Sequence, residues 1–320
     1  MEKIGLIALM VWVFTSCDPG EETVAPALPG NVERTIINQG KDYEEQIWFS
    51  FSVGSVIATT DKFSWDIEIA PSSEQGTIML NGSKFMRAGL ANVSSVEAII
   101  DPAAVELGID HQSGAVDSLQ LGLPSALLNE VYLVDLGRRI DGSEIGNALF
   151  QVTSFTDNAL TFEYRLVEET TVHTETVPLM EHEWVRYSLL EHEVADGIPP
   201  SAEWDICFTQ YAYRFYNPVI DYLVNGVFSN TQRVAVAQDE TRDFESISLA
   251  TVDSLEFGNQ RNIIGYDWKS YNIDEGFYQV YPEKNFIVRV NNEVYYKLHF
   301  IDFYNSLGER GYPLMEWQRL

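Results

Sequence analysis

From about residue 45 onward, apolar and polar side chains alternate in short runs rather than recurring at helical spacing. Ile47-Trp48-Phe49-Ser50-Phe51-Ser52 and Phe63-Ser64-Trp65-Asp66-Ile67-Glu68-Ile69 show the pattern, and the runs that follow are heavy in Phe, Tyr, Trp, Val and Ile. Such residues with a period of two predict half-buried β-strands. Helical spacing is confined to Ser94–Ile100 and Thr241–Ile247, where Ser94 or Asp243 is placed to cap one short helix. Antiparallel strands with one face on the core predict an all-β chain of sandwich or open-barrel units.

The pattern is written twice. The Trp65-Asp66-Ile67 run is matched by Glu203-Trp204-Asp205-Ile206-Cys207-Phe208, and the Ile47 run by Glu183-Trp184-Val185-Arg186-Tyr187-Ser188-Leu189. Asn81-Gly82 is matched here with Asn225-Gly226, and the Ala148–Asp157 hairpin strand with Val294–Asp302. Each unit closes on a last strand, Leu160–Leu166 and Leu314–Leu320. The repeat divides the chain into a unit at 33–170 and a second at 171–320.

The first residues follow another rule. Lys3, the apolar run Ile4–Phe14 and then Thr15-Ser16-Cys17 form a secretory signal too short to span a bilayer, with Cys17 in the lipidated position of a lipoprotein. Residues 1–17 are read as that signal, and 18–32, rich in Pro, Gly and acid, as a flexible tether. The acidic Asp18-Pro19-Gly20-Glu21-Glu22 resembles the surface-export signal of Bacteroidetes lipoproteins. The expected location is therefore the outer membrane, lipid-anchored and facing outward.

A formal charge of −28 excludes nucleic acid as a partner and leaves the acyl chain as the route to a membrane. With Cys17 lipidated, Cys207 has no disulfide partner, and its place in an apolar strand makes it a small buried hydrophobe.

At the Trp-Asp motifs, and at Ile264-Gly265-Tyr266-Asp267-Trp268-Lys269 followed by the Phe286–Asp302 hairpin, the chain resembles the HmuY family of Bacteroidetes surface lipoproteins. The resemblance spans about residues 33–320 as two family-like units. It implies an all-β fold and capture of haem for delivery to an outer-membrane transporter. Haem requires axial ligands. His111 is the histidine in a loop of the expected kind, Met86 beside Asn81-Gly82 is a candidate thioether, and Tyr266 and Tyr271 are candidate phenolates in the second unit. Met79 is assigned to core filling.

Other constellations read as architecture. His182 and His192 each sit between glutamates but lack the His-Glu-x-x-His spacing of a zinc helix, so both are expected at an exposed edge. His173 falls in the connection between units, and His299 in a strand, facing solvent or hydrogen-bonded. Asp66 and Asp205, repeated after a Trp, are expected to fix backbone rather than perform acid–base chemistry. No nucleophile elbow, phosphate loop or dinucleotide fingerprint is present, and no catalytic residue is assigned. The chain is thus read as a lipid-anchored protein that binds a small molecule without converting it. A surface glycan-binding or protein-interaction module using aromatics such as Tyr211, Tyr213, Phe215 and Tyr216 is the alternative, and a hydrolase the third reading.

Overall fold

The computed structural model describes residues 28–320. The signal at 1–17, the lipidation site Cys17 and most of the 18–32 tether lie outside the described residues.

The period-two alternation becomes strands, and among the described residues no helix exceeds four residues. In Ala159–Leu166, Leu160, Phe162 and Tyr164 are fully buried while the residues between them are not. The first three strands are β1 (Val32–Ile36), β2 (Glu45–Ser50) and β3 (Ser55–Asp61). Nine follow: β4 (Ile67–Ile69), β5 (Ile78–Leu80), β6 (Arg87–Leu90), β7 (Val131–Asp135), β8 (Asn147–Thr156), β9 (Ala159–Leu166), β10 (His173–Pro178), β11 (Val185–Ser188) and β12 (Glu193–Val194). The last eight are β13 (Ile206–Tyr216), β14 (Val219–Ser229), β15 (Val234–Asp239), β16 (Lys269–Asn272), β17 (Phe277–Val280), β18 (Asn285–Val290), β19 (Val294–Tyr304) and β20 (Arg310–Arg319).

Strand pairing does not follow the boundary expected at 170/171. The middle nine strands form one half, with sheets ordered β10-β9-β8-β7-β6 and β12-β11-β4-β5. The first three and last eight form the other, with sheets β1-β20-β19-β18-β15 and β14-β13-β2-β3 and the separate hairpin β16-β17. Residues 62–195 are thus inserted, as one contiguous stretch, between β3 and its continuation in β13. Each half contains the leading strands of one repeat and the body of the other. The reason is that β2 finds its partner across the repeat, in β13, while β11 pairs with β4.

The two joins are equivalent. Tyr187, Arg186 and Val185 oppose Ile67, Glu68 and Ile69; Phe49, Trp48 and Ile47 oppose Ile206, Cys207 and Phe208. A core of its own fills each half. One gathers Ile67, Leu80, Phe150, Phe162 and Tyr164 with Tyr187 and Leu189, and the other gathers Phe49, Phe208, Trp268, Phe286 and Phe300 with Trp317. In the second, Trp268 stacks on Phe300 at 4.0 Å between ring centroids.

The Trp-Asp aspartates are structural, as expected, and they fasten the joins. Asp66 Oδ2 accepts from the Leu189 amide at 2.7 Å and Asp205 Oδ2 from the Phe51 amide at 2.7 Å. The other oxygen of each is paired with a cation, Lys84 for Asp66 and Arg233, at 2.6 Å, for Asp205. Asn81 donates its amide to the carbonyls of Lys62 and Trp65, and Asn230 does the same for Ser201 and Trp204. The counterpart of Asn81 is therefore Asn230 and not Asn225, which lies with Gly226 inside β14. Gly226 is required there by close approach, since a Cβ would stand 2.4 Å from the Gly265 carbonyl oxygen. Of the expected helices, Ser94–Ile100 forms none, and Asp243 precedes only a three-residue turn at Phe244–Ser246 without capping it through its side chain.

Candidate functional site

The two joins face each other, and between them lies a cavity of about 460 Å³, within the range of small-molecule sites. Its walls come from both halves. Strands β4, β5 and β11 contribute Glu68, Met79 and Arg186; β2, β13 and β14 contribute Gln46, Trp48, Cys207 and Phe228; the loops at 113–116 and 259–261 complete it. Trp65 and Trp204, each immediately before an anchored Asp, occupy equivalent places in the lining. The Trp48 and Trp204 rings meet edge-on at 4.7 Å.

The polar groups are arranged around these rings. Trp65 Nε1–H donates to Gln46 Oε1 at 2.8 Å, and Gln46 passes its own N–H to Thr209 Oγ1 at 3.0 Å. Trp48 Nε1–H donates to Thr60 Oγ1 at 2.9 Å. Arg186, buried, pairs with buried Glu68, and its guanidinium lies 4.9 Å from the Trp48 ring centroid and 5.5 Å from that of Trp65. Arg261 stands 3.9 Å from the other oxygen of Glu68 and 4.5 Å over the Phe228 ring. Burial lowers the Arg261 pKa from its usual value, and the guanidinium remains charged. The lining thus sets two guanidiniums, Arg186 and Arg261, against two carboxylates, Glu68 and Glu74, inside a chain of charge −28.

Three donors of the wall are left over. Arg186 Nε–H, Trp204 Nε1–H and the Ser229 hydroxyl are buried and make no hydrogen bond within the described residues. A buried N–H without an acceptor costs roughly 1–3 kcal/mol. All three residues line the cavity, and these donors are buried within its wall.

The loop at 110–118 is held from beneath by Asp110, whose Oδ2 accepts from the Leu80 amide and Oδ1 from the Gln120 amide, each at 2.7 Å. Burial outweighs these two donors and pushes the Asp110 carboxyl up to about 6. A carboxyl raised in the folded state favours folding while protonated. Its contribution is full below the unfolded value near 3.9 and is lost as pH rises through about 6. Titration followed by the ¹³C shift of the Asp110 carboxyl is expected to give a midpoint near 6; a midpoint below about 5 contradicts this account.

None of the four residues nominated from the sequence as haem ligands lines this cavity. His111 lies on the same loop as the lining residue Ser113, but its Nδ1 is engaged with Ser113 Oγ at 2.8 Å. Met86 is sealed in the core of the first half. Tyr266 packs edge-on against Tyr213 at 4.9 Å, and burial raises its phenol to about 12, away from the phenolate form a metal would need. Tyr271 is half-exposed on β16, its ring 5.1 Å from Tyr278. These four are not brought together. The axial donors that the lining does offer are the thioether of Met79 and the thiol of Cys207, and burial raises the Cys207 pKa so that the thiol stays protonated. The lining therefore offers haem one thioether, Met79, and no imidazole or phenol. Met79, assigned from the sequence to core filling, is a wall residue, and so is Cys207.

Sequence reasoning missed Arg186 and Arg261. The available signal for Arg186 was a charge in the middle of an apolar strand, which is tolerated only opposite a counter-charge such as Glu68.

No family model matches the chain, and no curated protein matches it. Solved structures do. The apo HmuY analog of Tannerella forsythia is similar over 90% of this chain and 95% of its own, at 10% identity and a TM-score of 0.34. Apo PinO from Porphyromonas gingivitis is similar over 91% of this chain and 97% of its own, at 10% identity and a TM-score of 0.30. An HmuY-like protein of Bacteroides vulgatus matches 45% of this chain and 78% of its own, at 13% identity and a TM-score of 0.22. Two of the three carry the name of the family that the Trp-Asp motifs resemble.

Proposed function

We propose that this chain is a binding protein, anchored through a lipid on Cys17 at the outer membrane and facing outward, that holds a small flat organic anion in the cavity between its halves. The observation that carries this reading is the setting of two guanidiniums, Arg186 and Arg261, beside the tryptophans Trp48, Trp65 and Trp204 in the lining of one cavity. Trp65, Trp204 and Trp48 supply ring faces and edges for a planar group. The guanidiniums of Arg186 and Arg261 supply the charge-assisted hydrogen bonds that a carboxylate accepts. Binding rather than conversion is favoured because Cys207, the thiol in the lining, is held protonated and has no lining imidazole beside it to act as base. Transfer onward to an outer-membrane transporter is the use such a surface protein would have.

The test is tryptophan fluorescence of the full chain during titration with aromatic carboxylates, with the matching amides and with haem. A carboxylate is expected to quench saturably and to bind about tenfold or more tighter than its amide, the equivalent of about 1.4 kcal/mol. Arg261→Gln is expected to remove that preference. Quenching by no carboxylate, equal binding of acid and amide, or a Soret shift showing haem bound in preference to all of them overturns the reading.

A further inference from the structure

Away from the cavity, folding gathers Glu169, His173 and His192, which are spread over two connections of the first half. Each offers one ligating atom, and the three atoms lie within 4.8 Å of one another. The register of β10 against β9 sets His173 opposite Tyr164, and the turn after β11 lays the His192 ring on that of His173, centroids 3.8 Å apart and planes 11° from parallel. Glu169 Oε2 stands 4.0 Å from His173 Nε2.

The nitrogens are disposed for a ligand. His173 Nε2 is buried and has no hydrogen-bond partner within the described residues. His192 Nδ1 is 2.7 Å from the Tyr164 hydroxyl, which is in turn 3.2 Å from that of Tyr187. The Tyr164 hydroxyl can accept from His192 Nδ1–H while donating to Tyr187. That tautomer leaves His192 Nε2 with a free lone pair, the arrangement by which an outer hydrogen bond orients a metal-ligating histidine.

The turn carrying His192 is also fixed in advance. The Leu189 and Leu190 amides donate to Asp66 Oδ2 at 2.7 and 3.2 Å, and the Glu191 amide donates to Ser188 Oγ at 3.0 Å. His192 itself sits at φ +60°, in the left-handed region that a non-glycine residue enters at a cost.

We propose that Glu169, His173 and His192 form a binding site for a divalent transition ion of the zinc class. Two imidazoles and one carboxylate leave the fourth tetrahedral position to water or an exogenous ligand. Ligand atoms around zinc stand about 3.3 Å apart for bonds of about 2.0 Å. Binding therefore draws the half-exposed Glu169 inward and turns the two rings out of their parallel stack so that their lone pairs converge. His182, expected from the sequence to resemble His192, is not part of this site; it is exposed beside Glu181.

Calorimetric titration of the full chain with Zn²⁺ is expected to show one equivalent bound, weakened at least tenfold by His173→Gln and by His192→Asn. Asn is chosen because it tolerates the left-handed backbone without supplying an imidazole. His182→Ala is expected to bind as the parent chain does. Histidine-ring ¹⁵N shifts, recorded on the unsubstituted protein, are expected to move on Zn²⁺ addition for His173 and His192 and to stay in place for His182 and His299. Absence of binding, binding undiminished in the His173→Gln/His192→Asn chain, or ring shifts confined to other histidines overturns the proposal.

Discussion

A fragment carrying residues 62–195 is expected to fold cooperatively, and one carrying 33–170 is not. The first contains both sheets of one half and every strand that lines its core, including Val185 and Tyr187 of β11 and, just after it, Leu189. The second follows the repeat in the sequence but strands β2 and β3 away from β13, and leaves β4 without β11. Losing the five buried side chains of Val177, Leu179, Val185, Tyr187 and Leu189 costs about 1.5–3 kcal/mol each. Total stabilities of about 5–15 kcal/mol do not survive that loss together with the unpaired amides of β4 and β9. Thermal unfolding followed by circular dichroism distinguishes the two fragments. A sharp transition in 33–170, or none in 62–195, refutes the exchange of leading strands.

Asp205→Ala is expected to destabilise the whole chain by about 3–5 kcal/mol, the usual cost of removing one partner of a buried ion pair. The substitution removes the acceptor of the Phe51 amide and leaves Arg233, whose side chain is only slightly exposed, without its carboxylate. Asp205→Asn retains an oxygen for the amide and is expected to cost less. The equivalent Asp66→Ala is expected to fall in the same range, since it strands Lys84 and releases the amides of Leu189 and Leu190. Urea unfolding measures both. A loss below about 1 kcal/mol at either site means that the joins are held by packing and not by these carboxylates.

Much of the fold was legible because strand formation is local. Period-two burial in β9, the closing strands, the architectural role of the two Trp-Asp aspartates and the burial of Cys207 all follow from side chains and their immediate neighbours. The partner of β2 was not legible. Both β4 and β13 present the same Trp-Asp-Ile start, so either pairing satisfies the same alternation, and the choice is made by the three-dimensional arrangement of the rest of the chain.

The cavity was hidden for the same reason, because its walls exist only once β2 and β11 have crossed to the opposite repeat. Residue type drew attention to His111, Met86, Tyr266 and Tyr271, whereas the cavity is built by tryptophans and by two arginines near Glu68. The Glu169, His173 and His192 cluster carries no motif spacing. It depends on strand register and on a turn pinned by Asp66, neither of which composition reveals.

The offset between repeats and halves has a bearing on ancestry. One repeat alone could reach this pairing by trading its leading arm with a second copy, so the chain has the strand connectivity of a domain-swapped dimer joined end to end. In such a parent the pocket on the dyad would have been lined twice by identical residues. At equivalent positions of the two joins, Trp48 stands where the other has Arg186, and Cys207 where it has Glu68. A symmetric pocket has thereby acquired a charged side and a neutral one, which lets it tell the two ends of a guest apart.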